Sequence, residues 1–259
     1  MSEDEIETLE TPSMRLDGLS ALVTGAGRGI GAGLAIALAE AGADVVAVSR
    51  TGEELERVAE RIRGLGQQAT PEVCDVTDDT QLASLFGGLA RLDILVNNAG
   101  TNIPEPFLEV TAENLDTVLT LNLRAAFRVA QGAAAKMREG GRGGAILNVS
   151  SQLGHVGSAK RTVYCMTKHG IEGLTKAMAI DLAEARIRVN AIGPTFIETP
   201  MTRPMLADQD FRQDVLSRIP WGEIGRVDDL MGATVFLCSP AARLITGASL
   251  VIDGGWTAR

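Results

Sequence analysis

The chain is poor in aromatic residues. Phe, Trp and Tyr make up 3% of its 259 residues, and Tyr164 is the single tyrosine. A core drawn from 45% hydrophobic residues must then be aliphatic, as it is where helices pack on a parallel sheet. There are three cysteines, Cys74, Cys165 and Cys238, odd in number and far apart. That pattern excludes a disulfide framework and fits a reducing, cytoplasmic setting. The two histidines, His155 and His169, are not at ligand spacing with any cysteine or carboxylate, so no metal site is expected. Positive charge is also scarce. A net charge of −9 argues against nucleic acid or an anionic membrane surface as partner. No uninterrupted apolar run is long enough to span a bilayer. Residues 1–13 carry Glu3, Asp4, Glu5, Glu7 and Glu10 and lack the basic start and apolar core of a signal peptide. They read as a disordered, solvated acidic tail.

What the chain has is alternation. Apolar, β-rich runs at 19–24, 44–49, 69–75, 92–97, 145–150, 187–192 and 249–252 read as strands. Helical patterns at 30–41, 53–63, 78–87, 111–137, 163–184 and 227–238 fill the intervals, with Thr111 and Asn114 offering capping chemistry to the longest. The order predicts right-handed βαβ crossovers and an α/β fold: a doubly wound (Rossmann) parallel sheet of about seven strands with helices on both faces. No linker or repeat divides residues 14–259, so they are expected to form one domain. Residues 196–225 break the pattern, with prolines and mixed charge. An insertion there, after a strand end, is expected to lie beside the ligand crevice as a substrate lid.

Gly25, Gly29 and Gly31 fall at the first strand-to-helix junction. Glycines there let the backbone turn tightly and approach a pyrophosphate, while the helix that opens at Ile30 supplies free N–H donors and positive potential. The acidic residue that would bind a ribose 2′-hydroxyl at the end of the second strand is missing, and Ser49-Arg50 stands in its place. With Arg28 inside the glycine turn, two guanidinium groups suit a 2′-phosphate. The expected cofactor is therefore NADP(H) in preference to NAD(H). The competing reading makes Arg50 a solvated cation paired with Glu53 or Glu54.

Tyr164 and Lys168 stand one helical turn apart, and Ser151 follows an apolar strand. A free tyrosine titrates near ~10, so a phenol that works at neutral pH needs about 4 kcal/mol of help for its phenolate. An ammonium group at i+4 can supply part of that. Taken with the glycine turn, Asn97-Asn98-Ala99-Gly100, Asn122, the 148–151 stretch, 187–190 and Asp253-Gly254-Gly255, the chain resembles the short-chain dehydrogenase/reductases from Leu16 to its C-terminus.

That resemblance implies interconversion of a secondary alcohol and a ketone, by hydride transfer at C4 of the nicotinamide. It makes Tyr164 the general acid/base and Ser151 the group that positions the carbonyl or hydroxyl. Lys168 would lower the tyrosine pKa and hold the nicotinamide ribose, and Asn122 would hold a water that links Lys168 to solvent. Asp75 and Val76 would meet the adenine. Asn98, Ala99 and Gly100 would line the cofactor, and Pro194, Ile197 and Thr199 would meet the nicotinamide and pyrophosphate. Where the family usually has Pro-Gly, this chain has Pro194-Thr195, which narrows that turn. The resemblance also implies a homotetramer with helices 111–137 and 163–184 at an interface, where Ala125, Ala126, Ala177 and Ala179 would permit close packing.

For the substrate, Leu153, His155, Lys160, Arg161, Thr195 and Phe196 are the candidate contacts. Lys160-Arg161 is either a solvated basic pair or a clamp for a substrate carboxylate. The C-terminal residues 252–259 and Arg218-Ile219-Pro220 resemble sugar-acid members of the family such as the 2-deoxy-gluconate 3-dehydrogenases, which points to a sugar acid or polyol. A 3-oxoacyl thioester reductase and a non-catalytic NADP(H) sensor stay open as alternatives.

Overall fold

The computed structural model describes residues 10–258, so most of the acidic tail expected at 1–13 lies outside the described residues. Seven parallel strands form one sheet in the order β3-β2-β1-β4-β5-β6-β7. They are β1 (Ser20–Thr24), β2 (Asp44–Ser49), β3 (Ala69–Val73), β4 (Ile94–Asn97), β5 (Gly144–Val149), β6 (Ile187–Pro194) and β7 (Ser249–Ile252). The central strands are apolar on both faces because both are covered: all of β4 is buried. The strand order reverses between β1 and β4, and the crevice that opens there lies beyond the carboxyl ends of the strands.

Two aliphatic layers sandwich the sheet. On one face lie α1 (Gly29–Glu40), α2 (Gly52–Arg63) and α9 (Asp228–Cys238). In α2 the buried residues Leu55, Val58, Ala59 and Ile62 recur at helical spacing, the pattern that makes this stretch a surface helix. α1 is apolar all round because it is wedged between the sheet and α9. A Cβ on its Gly33 would come within 2.1 Å of Val227, so a side chain there would push the two helices apart. On the other face lie α3 (Asp79–Gly88), the α4–α5 rod and α6 (Thr162–Asp181).

The rod differs from the single helix expected at 111–137. It runs as α4 (Ala112–Leu119), a π-helical segment Thr120–Ala125, and α5 (Ala126–Gly140), which stops at the left-handed Gly141. Thr111 caps it through the Asn114 N–H, as expected. The π turn adds one residue to the turn that carries Asn122, which is held on both sides by polar contacts. The interface alanines need a second correction. Ala125, Ala126 and Ala179 are buried in the chain's own interior and cannot line an external face, whereas Ala177 is exposed.

Residues 196–225 fold as two short helices, α7 (Arg203–Leu206) and α8 (Gln209–Arg218), pinched at the base. The Gly225 N–H donates to the Phe196 carbonyl at 3.0 Å, and the Glu198 N–H to the Gly225 carbonyl at 2.8 Å. Leu206 and Val215 turn inward, and Phe211 meets the Phe196 ring edge-on. Among the described residues no helix is long and apolar enough to cross a membrane.

Candidate active site

One crevice of about 350 Å³ crosses the carboxyl ends of β1, β2, β4, β5 and β6. The glycine turn walls its near side. Gly25 and Gly29 are left-handed (φ 65° and 58°), which an L side chain resists. A Cβ on Gly31 would lie 2.2 Å from the Gly25 carbonyl oxygen, so only glycine lets α1 start there. Arg28, at the N-cap, is extended, makes no capping bond and is followed by no acid in the first turn. The N–H groups of Gly29, Ile30 and Gly31 thus face the crevice with no capping side chain. The turn is pinned from both sides. The Ala26 N–H donates to the Val48 carbonyl, and the N–H groups of Asn98 and Ala99 donate to Thr24 Oγ1 at 3.0 Å. The Asn98 side chain donates to the Thr24 carbonyl at 2.9 Å, so part of its work is to hold the turn shut.

At the β2 and β3 end Ser49, Arg50, Asp75 and Val76 line the wall of the crevice. Arg50 is exposed and makes no ion pair among the described residues. The acids proposed to neutralise it are otherwise engaged: Glu53 pairs with Arg57 at 2.8 Å, and Glu54 with Arg28 at 3.4 Å. Glu54, on α2, was named from the sequence only as a partner for Arg50, and it lines the crevice beside Ser49 and Arg50. The nearest signal for it was the Arg50/Glu54 spacing, which named the wrong arginine. Asp75 accepts from the Thr77 N–H at 2.9 Å and hydroxyl at 2.7 Å, bonds that, with Arg50 nearby, hold its carboxyl below the usual range.

At the other end Ser151, Tyr164 and Lys168 converge. Tyr164 and Lys168 share a face of α6, with the Lys168 ammonium 5.5 Å from the centre of the tyrosine ring. Lys168 is buried and donates to the Val149 carbonyl at 2.8 Å. Burial pulls its pKa down to about 8, against the opposing pull of Glu172 one turn further on. Ser151 donates to Gln152 Oε1 at 2.7 Å and accepts from the Leu153 N–H at 3.1 Å.

Burial pushes the Tyr164 phenol up, while its hydrogen bond to Ser151 and the Arg161 charge push it down. Arg161 thus stands as a second cation beside the phenol, while the Lys168 ammonium donates to the Val149 carbonyl.

Asn122 lies behind the crevice. Its amide donates to the Thr101 carbonyl at 2.8 Å and to Thr167 Oγ1 at 3.1 Å, and its oxygen accepts from the Thr101 N–H at 2.8 Å. Both side-chain donors are spent on protein.

The substrate candidates divide. Leu153, Arg161, Thr195 and Phe196 line the crevice, as do Pro194, Ile197 and Thr199 below them. His155 does not: its Nε2 lies 3.2 Å from Ser249 Oγ and 3.3 Å from Glu172. Lys160 does not either, because a left-handed backbone (φ 59°) points it into solvent. Met201 and Met205, in the stretch expected to cover a ligand, also line the crevice, and residues not foreseen include Asn102 and Gln152, whose position depends on loop paths that periodicity does not encode.

A nicotinamide dinucleotide fits what is present. The glycine cradle would be blocked by a single Cβ, and Asn102 Oδ1, Ser150 Oγ and Thr195 Oγ1 are buried along the crevice without a hydrogen-bond partner among the described residues.

Comparison with known proteins agrees. Residues 25–257 match a family model described as enoyl-(acyl carrier protein) reductase. L-xylulose reductase of Mus musculus is 42% identical over 243 residues, 94% of this chain and 98% of that protein. D-erythrulose reductase of Gallus gallus is 38% identical over 95% of this chain and 98% of its own length. A gluconate 5-dehydrogenase from Burkholderia cenocepacia, solved in complex with NADP and tartrate, superposes with a TM-score of 0.91 at 36% identity, covering 95% of this chain and 98% of that one. The chain belongs to the short-chain dehydrogenase/reductase family. It is an NAD(P)(H)-dependent oxidoreductase that interconverts secondary alcohols and ketones.

Proposed function

We propose that this protein is an NADP(H)-preferring reductase/dehydrogenase of a polyhydroxylated ketone and its alcohol, with Tyr164 as the general acid/base. One observation carries the reading: Ser151, Tyr164 and Lys168 meet at one end of a crevice whose other end presents Ser49, Arg50 and Arg28 where an NAD-binding acid would stand. In this reading Arg50, Arg28 and Ser49 hold the 2′-phosphate, and the N–H groups of Gly29, Ile30 and Gly31 hold the pyrophosphate. Asp75 and Val76 flank the adenine. Ala99, Gly100, Pro194, Ile197 and Thr199 enclose the nicotinamide half, and Lys168 meets its ribose. When bound, the nicotinamide supplies or accepts the hydride.

The chain's own residues manage the oxygen and its proton. Ser151 donates a hydrogen bond to the carbonyl oxygen and fixes it toward Tyr164. The Tyr164 hydroxyl gives its proton to that oxygen in reduction, and the phenolate takes it back in oxidation. Lys168 stands behind the tyrosine, and Asn122 braces Thr101 against α6, so the relay to solvent runs past the π turn. Residues 196–225 act as a lid, with Met201 and Met205 facing the ligand. The relatives' sugar and polyol substrates support a polyhydroxylated ligand.

We read the assembly as a cytoplasmic homotetramer. Phe127, Met166 and Ile180, exposed on α5 and α6, support the helical interface, and the three free cysteines support a reducing compartment.

The test is steady-state reduction of L-xylulose, other ketoses, 2-keto sugar acids and a 3-oxoacyl thioester, each with NADPH and NADH. The expected outcome is turnover of at least one polyhydroxylated ketone with kcat/KM higher for NADPH. Arg50→Asp should lower the NADPH/NADH ratio by about tenfold or more, through loss of a charge-assisted pair and gain of a ribose acceptor. A wild-type ratio below one, or a ratio indifferent to Arg50→Asp, sinks the cofactor assignment. Turnover of the thioester alone sinks the substrate class.

A further inference from the structure

Arg161 is a buried guanidinium without an oxygen to bind among the described residues. It is 7% exposed, at the start of α6, one turn before Tyr164 on the same side of the crevice. Its side-chain contacts are the Met205 sulfur at 3.7 Å and the face of Phe196, 5.4 Å from the ring centre. A thioether is a weak acceptor and a ring face a diffuse one, whereas a guanidinium carries five N–H donors in a fixed fork. No carboxylate pairs with it among the described residues. The other deeply set arginine, Arg188, shows what a purely structural one looks like here: it donates to the Leu237 carbonyl at 2.7 Å and the Ser239 carbonyl at 3.2 Å, at the end of α9.

The backbone goes out of its way to put Arg161 there. Lys160 sits at φ 59°, a left-handed conformation that a non-glycine residue resists. The Glu105 N–H clamps the Lys160 carbonyl at 2.9 Å. This kink separates two adjacent cations, sending Lys160 into solvent and Arg161 into the crevice. A buried charge normally finds a counter-charge. Here the free space in front of it is the substrate end of the cleft, where Asn102 Oδ1 and Thr195 Oγ1 also lack partners.

We propose that Arg161 is the anchor for a substrate carboxylate, so that the ligand is a short polyhydroxy or keto acid. The carboxylate meets the guanidinium fork, hydroxyls meet Asn102 and Thr195, and the carbon that is oxidised or reduced lies a few bonds away at Tyr164. Met205 and Phe196 exclude water from the pair, which strengthens it. Lys160 takes no part. The assignment rests on the dehydrogenase reading of the same site, and it narrows that reading from sugars in general to acids.

The test uses the whole protein saturated with NADP+ and two matched pairs of probes: D-gluconate against D-sorbitol, and L-tartrate against L-threitol. Calorimetric titration of the wild type should show at least one acid binding about tenfold or more tighter than its neutral partner, the worth of a charge-assisted bidentate pair. Arg161→Met should bring that ratio close to one. Arg161→Lys, which keeps the charge and loses the fork, should fall between, and Lys160→Met should leave the ratio alone. Equal binding of acid and neutral probe in both pairs, or a preference that survives Arg161→Met, overturns the proposal. If Arg161→Met does not fold, the wild-type ratio and Arg161→Lys still decide. Reduction of ketoses and of 2-keto sugar acids with NADPH by the wild type is read in parallel. Failure with every one of them counts against the dehydrogenase reading, whereas a missing acid preference counts against Arg161 alone.

Discussion

The two ends of the sheet treat buried polar groups in opposite ways. At the amino ends of the strands Asp93 is buried and answered from every side: by the Ser20 N–H at 2.9 Å, Arg91 at 2.6 Å and Arg142 at 3.3 Å. At the carboxyl ends, Arg161 has no acid among the described residues, and Lys168 is buried against a carbonyl. Three of the four buried side-chain atoms that lack a hydrogen-bond partner among the described residues, those of Asn102, Ser150 and Thr195, are found there. The fourth, Arg91 Nε, is the atom 2.6 Å from Asp93. One end is finished by the fold, and the other waits for a ligand to finish it. Substitutions at the first should therefore change stability, and substitutions at the second should change binding and turnover.

The largest effect belongs to the unfinished end. Tyr164→Phe removes the one phenol and leaves the ring in its place. Turnover should fall by ~100-fold or more, about 3 kcal/mol of barrier, because general acid–base transfer is lost. Titration with NADPH should show binding within a few-fold of wild type. A variant that keeps more than about a tenth of the wild-type rate would mean that another group moves the proton.

Lys168 links the two ends, since its burial must cost stability if its charge serves function. Its folded pKa of about 8 lies below the ordinary 10.5. Below pH 8 both folded and unfolded chains hold the proton, and the full cost of burying the charge is felt. Between about 8 and 10.5 the folded chain has released the proton while the unfolded chain keeps it, so stability contributed at this site rises with pH. The gain across that window is at most about 3–4 kcal/mol. The measurement is urea unfolding of the cofactor-free protein at pH 7.5 and pH 10, taken as the difference between wild type and Lys168→Met. The wild type should gain on the variant at the higher pH. A flat difference would show that Glu172 already neutralises the ammonium.

Much of this was legible from residue order, and what was not has physical causes. Strands and helices came from periodicity, and all seven strands were placed because each is an apolar run bounded by turn residues. A doubly wound parallel sheet followed from the alternation, but the point where strand order reverses, between β1 and β4, did not. The glycine turn, Ser151, Tyr164 and Lys168 were readable because local spacing constrains them: an i,i+4 pair on a helix has little choice of direction. The π turn at Asn122 was invisible, since it alters the helical ladder without altering composition. Lys160 and Arg161 looked equivalent because they are adjacent and alike in charge, and only a left-handed φ at Lys160 separates them. Glu54 and His155 were misjudged for a third reason. Their partners, Arg28, Ser249 and Glu172, come from elements distant in sequence, and one sequence does not encode such meetings locally.

The smallest effect, and the sharpest control, lies at the finished end. Asp93→Asn keeps shape and one acceptor oxygen but removes the charge between Arg91 and Arg142. The Ser20 N–H can still donate to the amide oxygen. The amide nitrogen must then face a guanidinium, and that contact becomes unfavourable. Both arginines are substantially exposed and can rehydrate, so the loss stays well below that of a fully buried pair: about 1–2 kcal/mol. In a chain of this length that is a fall of a few degrees in Tm. The β1–β4 register sits directly above this carboxylate, whereas the crevice opens at the opposite ends of the same strands. Thermal unfolding should therefore move while kcat/KM for any accepted ketone, corrected for folded protein, stays within about twofold of wild type, a difference under 0.5 kcal/mol. If kcat/KM drops tenfold instead, the strands transmit strain from one end to the other, and the separation of a structural end from a functional end fails.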